Sequence, residues 1–170
     1  QYGFMHRTVS NQTPRNLMGQ VDGTDNPLPN TVAFDEVVWN TGNPQPWFRD
    51  GSVLVLRRIR MNLDTWEKLS PAMQEAVIGR NRTNGAPLTG VSEHDTPDMT
   101  AMEDGKLAIA RDAHIRRAST GRNIFRRVYN FDDGVDEAGS NAGLIFASYQ
   151  AELSQFVDIQ DRLAELDSLN

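Results

Sequence analysis

The pattern of apolar and polar positions predicts an antiparallel sheet with helices along one of its faces. Alternating apolar side chains predict strands at 53–61, 123–131 and 144–150. A stripe of apolar side chains at helical spacing predicts a helix over 153–167, and 63–78 has a helical pattern as well. Strands and helices in this arrangement are typical of an α+β domain.

Local signals divide the chain further. Within 63–78, Ser70 is suited to cap a second helix that has Pro71 at its first position and stops at Gly79. Residues 80–108 carry repeated turn signals and predict a long loop, and 134–143 predicts a flexible connection between the last two strands. A loop as long as 80–108 is usually functional in a compact domain.

Composition excludes several classes of protein. With 170 residues the chain is long enough for one well-buried core, and its 38% apolar and 24% charged residues are those of a globular domain. No uninterrupted apolar run approaches about 18 residues, so the sequence predicts no membrane span. The formal charge of −6 argues against a dedicated nucleic-acid binder. The absence of cysteine excludes disulfides, thiolate nucleophiles and cysteine-bound metal or haem.

Positive charge is nevertheless concentrated in a few segments of this acidic chain. Arginines cluster at 57–60, 80–82 and 111–127, which favours a local anionic ligand rather than a long polyanion. The chain starts at Gln1 without a methionine and shows no signal peptide, so the sequence is interpreted as a processed or truncated piece of a longer protein.

Three residues could carry chemistry together. Asp22 lies in a tight turn before Gly23, within the run GQVDGTDNP. His114 follows an apolar run and precedes two arginines, and Arg126 opens the aromatic strand FRRVYNF. Asp22 has an ordinary alternative as a plain turn residue and His114 as a buried structural histidine, whereas an inward Arg126 would need a partner or an anionic ligand. An Asp, a His and an Arg in this order can also serve a haem peroxide site, with a neutral imidazole on the iron.

The other polar candidates are weaker. His94 lies in the acidic triplet Glu93-His94-Asp95, which we interpret as a solvated loop because adjacent residues rarely converge on one ion. His6 lies near the start of the chain. Arg116 and Arg117 are suited to haem propionates, or form a solvated basic loop.

Three segments in order, GQVDGTDNP, RDAHIRRA and NIFRRVYNF, resemble the dye-decolourising peroxidases, in the branch that includes secreted members linked to iron uptake. Further stretches agree with this resemblance, namely GSVLVLRRIRMNLDTWEKLS, EAVIGRNRTNGAPLTG and FASYQAELSQFVDIQDRL. Together they cover roughly residues 17 to 166.

The resemblance implies a specific architecture. Members of this family have two ferredoxin-like α+β domains, and this chain is expected to be the second, C-terminal half, with an irregular segment at 1–16 and the haem-binding domain at 17–170. The first domain and a final strand after residue 170 are expected to be missing from it. Expected partners are the N-terminal half, covalent or as a separate chain, and further copies in a homo-oligomer, with no nucleic acid and no membrane span.

The resemblance also assigns residues. By position Asp22 matches the distal acid, Arg126 the distal arginine and His114 the proximal ligand of haem b. Glu152 is the expected acid that hydrogen-bonds the proximal histidine; its ordinary alternative is a solvated acid at a helix N-terminus. The chain departs from some relatives at Val128, where they carry an asparagine.

The implied activity is oxidation of dyes and other aromatic donors by hydrogen peroxide. Electrons would reach the haem through surface aromatic residues, for which the candidates are Trp39, Trp47, Trp66, Tyr129 and Tyr149. Three alternatives stay open: a haem-binding or haem-transfer module with little turnover, a module that releases iron from haem, and a ferredoxin-like domain that binds no haem and pairs with a partner. Relatives imply a secreted, periplasmic or cell-envelope protein, and a cytoplasmic one stays open.

Overall fold

The computed structural model describes Gly3, Met5 and residues 13–42 and 45–169, and its centre is a three-stranded antiparallel sheet. The strands are β1 (Val53–Arg60), β4 (Phe125–Asp136) and β5 (Gly139–Gln150), arranged in the order β1-β5-β4. Two short strands, β2 (Met102–Glu103) and β3 (Lys106–Leu107), form a separate hairpin in the predicted long loop. The predicted α+β class is confirmed.

Five α-helices and one short 3₁₀ helix (Pro46–Phe48) accompany these strands in the described residues. Their bounds are α1 (Val32–Val38), α2 (Leu63–Trp66), α3 (Pro71–Ile78), α4 (His114–Ala118) and α5 (Leu153–Leu166). The helix α5 packs on the sheet, where the ring centroids of Phe146 and Phe156 lie 6.2 Å apart. No helix in the described ranges is long and apolar enough to cross a membrane.

The capping signals read from the sequence are confirmed in α3. The Ser70 side chain accepts a hydrogen bond from the Met73 N–H, and Pro71 occupies the first helical position. Gly79 ends the helix with φ at +90°, and a Cβ atom there would lie 2.7 Å from Ile115 Cγ1. Glycine is required here by both the backbone conformation and the packing of α4 against the turn.

Two parts of the fold differ from the sequence prediction. No element is predicted for residues 32–38, but they form one helix, α1, whose first turn is capped by the Thr31 hydroxyl accepting from the Phe34 N–H. The expected flexible stretch at 134–143 instead continues the pairing of β4 and β5, with a register shift between Asp132 and Val135. The polar sequence of 134–143 gave no strand signal, because the backbone of an exposed hairpin can pair without alternating apolar side chains.

Arginines of β1 hold this extended hairpin from across the sheet. The Arg58 guanidinium lies 3.1 Å from the Asp133 carboxylate, and the Arg60 guanidinium lies 2.9 Å from that of Asp136. Because β5 lies between β1 and β4, these side chains span the central strand. The hydrogen bonds from Arg60 lower the pKa of Asp136, with further lowering from the backbone N–H of Ala138. These arginines therefore bind carboxylates of the protein itself.

Close packing of β1 on β5 gives a testable prediction. A Cβ atom at Gly143 would lie 2.0 Å from the Ile59 carbonyl oxygen, so Gly143→Ala must push the two strands apart. We expect the free energy of unfolding to fall by about 3 kcal/mol, the upper range for overpacking, as measured by urea denaturation. Gly42→Ala is the control because its added methyl would meet nothing within 4 Å. Equal stability of the two variants would contradict the prediction.

Candidate functional site

Asp22 is held by backbone hydrogen bonds on both sides of its turn. Its own N–H donates to the Pro14 carbonyl at 2.9 Å, where residues 15 and 21 form an isolated antiparallel bridge. After it, Gly23 has φ at +113°, and the Asn26 N–H donates to the Gly23 carbonyl at 3.1 Å. The positive φ explains the glycine directly after Asp22. The loop backbone therefore has a defined shape without regular secondary structure.

The side chain of Asn26 joins this loop to the edge of β4. Its Nδ2 donates to the Arg126 carbonyl at 2.8 Å, and its Oδ1 accepts from the Arg126 N–H at 2.9 Å. One amide thus satisfies both backbone groups of a residue in an edge strand. The sequence offered no sign of this contact beyond the asparagine itself, which is also a common turn residue.

The result is that Asp22 and Arg126 face each other. The Asp22 Oδ1 and the Arg126 guanidinium nitrogen lie 3.8 Å apart, with side chains 18% and 29% exposed respectively. This distance is within ion-pair range but too long for a direct hydrogen bond. The expected proximity of these two residues is therefore found, and both side chains remain partly exposed.

A second arginine, Arg80, lies behind this pair. Its side chain is 8% exposed, donates to the carbonyls of Gly85 and Glu93, and lies 3.6 Å from the Asp25 carboxylate. Burial lowers the pKa of Arg80, the Asp25 charge opposes that effect, and the nearby positive charge of Arg126 adds to it. Two cations are thus held close to the carboxylates of the Asp22 loop.

His114 lies at the first position of α4, on the segment that precedes the strand of Arg126. Its Nδ1 lies 2.7 Å from Asp167 Oδ2, and the two side chains are 31% and 2% exposed. The carboxylate accepts a hydrogen bond, so this contact favours the tautomer protonated at Nδ1. In the described part of the chain Nε2 has no hydrogen-bond partner, and it therefore keeps a lone pair for a ligand.

The acid beside His114 is Asp167, which corrects the expectation for Glu152. The Glu152 side chain instead forms a capping box with Gln155 at the start of α5, each side chain accepting from the backbone N–H of the other residue. Asp167 lies at the opposite end of that helix, immediately after its last residue. The ordinary alternative given for Glu152, an acid at a helix N-terminus, is the one found.

Arg116 and Arg117, the residues expected to meet an anionic ligand, both make contacts within the chain. Arg116 donates to the carbonyls of Met99, Ile109 and Ala110 and so holds the loop that leads into α4. Arg117 donates to the Arg162 carbonyl and pairs with the carboxylate of Glu165 in α5. Both guanidinium groups thus bond through Nε and Nη2 to the protein's own carbonyls and carboxylate, and their role towards a propionate stays a prediction.

The remaining candidate residues, two histidines and the aromatic side chains, differ in how exposed they are. His94 is exposed, and no group of three acidic or histidine side chains in the described ranges could hold a metal ion. His6 lies outside the described residues. Trp66 is buried and its indole N–H donates to the Met18 carbonyl, whereas Trp47 is 80% exposed. Tyr129 accepts a hydrogen bond from Arg127.

One buried polar atom next to Arg126 has no partner. Ser148 of β5 pairs directly with Arg126 of β4, so both side chains project from the same face of the sheet. The Ser148 hydroxyl is fully buried and has no hydrogen-bond partner within the described residues. Buried hydroxyl groups are normally bonded, so the described residues leave a polar group beside Arg126 unsatisfied.

Comparison with known proteins gives a consistent result. The family model described as Dyp-type peroxidase, C-terminal, matches residues 13–170. A dye-decolorizing peroxidase of Thermobifida fusca is 42% identical over 169 residues, covering 93% of this chain and 39% of that protein. A deferrochelatase of Yersinia pseudotuberculosis is 39% identical over 169 residues, covering 92% of this chain and 38% of that protein.

A solved structure supports the same relationship at the level of the fold. The crystal structure of a DyP-type peroxidase from Cellulomonas bogoriensis matches with a TM-score of 0.89 and 41% identity, covering 99% of this chain and 49% of that one. The fold expected from the resemblance, a ferredoxin-like α+β half, is confirmed by this overlap. The chain spans about two fifths of the length of these curated relatives.

The position of Asp167 predicts the tautomer of His114. In the wild type we expect the ring protonated at Nδ1, because the carboxylate accepts that hydrogen. Asp167→Ala removes the acceptor, so the ring should shift towards the tautomer protonated at Nε2, as read from the ring nitrogen chemical shifts by NMR. Glu152→Ala is the control and should leave those shifts unchanged; a change there instead would restore Glu152 as the partner of His114.

Proposed function

The chain belongs to the Dyp-type peroxidase family, matching its C-terminal region, and on that premise we propose that it is the haem-binding half of a peroxidase that uses hydrogen peroxide to oxidise dyes and other aromatic donors. His114, Asp22 and Arg126 are its proposed functional residues. The observation that carries the proposal is the meeting of Asp22 and Arg126 at 3.8 Å, a proton acceptor beside a permanent cation.

The residues present fit a haem. A histidine that ligates a metal commonly donates its other ring N–H to a carboxylate, which fixes the tautomer and raises the basicity of the ligating nitrogen. His114 has this arrangement with Asp167, and its Nε2 is left unbonded within the described residues. The unpaired hydroxyl of Ser148 beside Arg126 is a second sign that a group is accommodated near this face of the sheet. His114 would therefore hold the iron.

The bound haem would supply the redox chemistry and the Lewis acidity for cleavage of the peroxide bond. Asp22 would accept the proton that hydrogen peroxide loses and return it to the departing oxygen, which leaves as water. Because its Oδ1 is too far from Arg126 for a direct hydrogen bond, the carboxylate remains available as a base. Arg126 would stabilise the negative charge that develops on the oxygens, since a guanidinium stays protonated throughout.

The rest of the relatives' length is the proposed partner of this half. The two curated relatives extend well beyond the matched region, which makes up 39% and 38% of their lengths. On β1, Leu54 and Leu56 are exposed on one face of the sheet and offer an apolar surface for that partner, whether covalently joined or separate. Assembly into a homo-oligomer and export to the cell envelope or beyond remain predictions from the resemblance.

Three substitutions test the proposal in the haem-loaded intact protein. Asp22→Ala should keep the haem but slow the reaction with peroxide about 100-fold or more, the usual contribution of a positioned acid–base group. Arg126→Leu should also slow it while the haem stays bound. His114→Ala should lose the iron ligand and change the Soret band.

Stopped-flow absorbance measures the peroxide reaction, and the visible spectrum measures haem ligation. Asp161→Ala is the matched control, because Asp161 is an exposed acid of α5 outside the Asp22 loop, and its rate should stay close to that of the wild type. A His114→Ala protein with a normal Soret band and full rate would disprove the assignment of the iron ligand.

Release of iron from haem is a second candidate function. It is favoured by the relative at 39% identity that carries the name deferrochelatase. The reaction would leave the macrocycle intact, with two protons replacing the iron on the pyrrole nitrogens. Free protoporphyrin, detected by its fluorescence after incubation with haem in the absence of peroxide, would support this candidate, and its absence alongside rapid dye oxidation would leave the peroxidase.

A further inference from the structure

The Asn26 side chain has a role that the proposed chemistry does not yet use. Resting on the proposed function, we propose that Asn26 is a positioning residue that sets the separation between Asp22 and Arg126. Its amide holds the strand that carries Arg126, while its backbone belongs to the turn that follows Asp22. Among the described residues, Asn26 thus has a side chain that hydrogen-bonds to the backbone of Arg126 and a backbone that belongs to the Asp22 loop.

The two hydrogen bonds between Asn26 and Arg126 fix the orientation of the Asn26 amide against the strand. They run in opposite senses, at 2.8 Å to the carbonyl and 2.9 Å from the N–H, so the amide imitates the backbone of a neighbouring strand. β4 is the outer strand of the sheet, and Arg126 therefore presents these groups away from β5. Arg126 and Ser148 therefore form a non-hydrogen-bonded pair, the type of antiparallel pair in which opposite side chains lie closest.

The same residue is linked to Asp22 through a short and constrained path. The Asn26 N–H closes the turn to the Gly23 carbonyl, and Gly23 comes directly after Asp22. A Cβ atom at Gly23 would lie 3.4 Å from Asn26 Nδ2, so the turn packs against the amide itself. A shift of the Asn26 side chain along β4 would therefore move Asp22 relative to Arg126.

The chemistry of the side chain explains why asparagine is needed. An amide has both a donor and an acceptor on one rigid group, as the two backbone groups of Arg126 require. Alanine has neither. An ionised aspartate has acceptors only and would face the Arg126 carbonyl with a negative charge, whereas a protonated aspartic acid again offers one acceptor and one O–H donor.

Residue-resolved amide hydrogen exchange on the intact protein tests the contact without reference to activity. In Asn26→Ala we expect exchange of the Arg126 N–H to be faster by about tenfold, the factor that one lost hydrogen bond can give. Asn84→Ala is the matched control, because the Asn84 amide also bonds two backbone groups, the Val91 carbonyl and the Ala86 N–H, at a distance from β4 in sequence. It should leave the Arg126 exchange unchanged.

The peroxide reaction of the haem-loaded protein tests the consequence. Asn26→Ala should slow it about tenfold, less than the loss of Asp22 itself, while Asn84→Ala stays within about twofold of the wild type. Asn26→Asp should be as slow as Asn26→Ala at pH 7. As the pH falls towards about 4, protonation of the new carboxyl should restore the rate relative to the wild type at the same pH, whereas Asn26→Ala should show no such recovery.

Each outcome decides the inference. Faster exchange with an unchanged peroxide rate would show that Asn26 only anchors the loop, and would overturn it. Unchanged exchange, or an Asn26→Asp protein with no recovery at low pH, would overturn it as well. If the wild type fails to react with peroxide, the proposed function fails, and the exchange measurements then decide alone whether Asn26 fixes Arg126.

Discussion

The loops around the candidate site are held by arginine side chains that satisfy main-chain carbonyl groups. Loops outside helices and sheets cannot pair their own backbone groups, and a buried unpaired carbonyl is costly. Arg15 donates to the carbonyls of Gly19, Arg82 and Thr83, and so ties the Asp22 loop to the loop after α3. Arg80 and Arg116 bond their loops in the same way. One guanidinium group has five N–H donors, so it can hydrogen-bond to several loop segments at once.

This framework positions two groups of proposed functional residues. Asp22 is aligned with Arg126 through a loop bonded to the edge of β4, whereas His114 is aligned through Asp167 at the end of α5. The sheet connects the two groups, because α5 follows β5 directly and packs on it through Phe146 and Phe156. Each polar contact therefore depends on the packing of apolar side chains some distance from it.

The sequence predicts the elements that have strong local signals. The start and end of α3 follow from Ser70 and Gly79, and the three main strands follow from alternation. α1 was missed because a seven-residue helix shows little periodicity, and the long hairpin was missed because its residues are polar.

Long-range contacts of the site could not be predicted from the sequence in the same way. Asp167 lies 53 residues from His114, and an acid after a helix has no local mark of its partner. The carbonyl contacts of Arg116 and Arg117 could not be predicted either, because a guanidinium suits an anionic ligand and a cluster of carbonyls equally well.

The contact between α5 and His114 also restricts how this chain can vary. α5 has 14 residues from Leu153 to Leu166, with Asp167 directly after it. Each inserted or deleted residue would turn the following side chain by about 100° and move it by about 1.5 Å along the axis. Substitutions on the exposed side of α5 leave Asp167 in place, whereas an insertion or deletion within α5 moves it. The hydrogen bond between Asp167 and His114 of α4 therefore fixes the number of residues in α5.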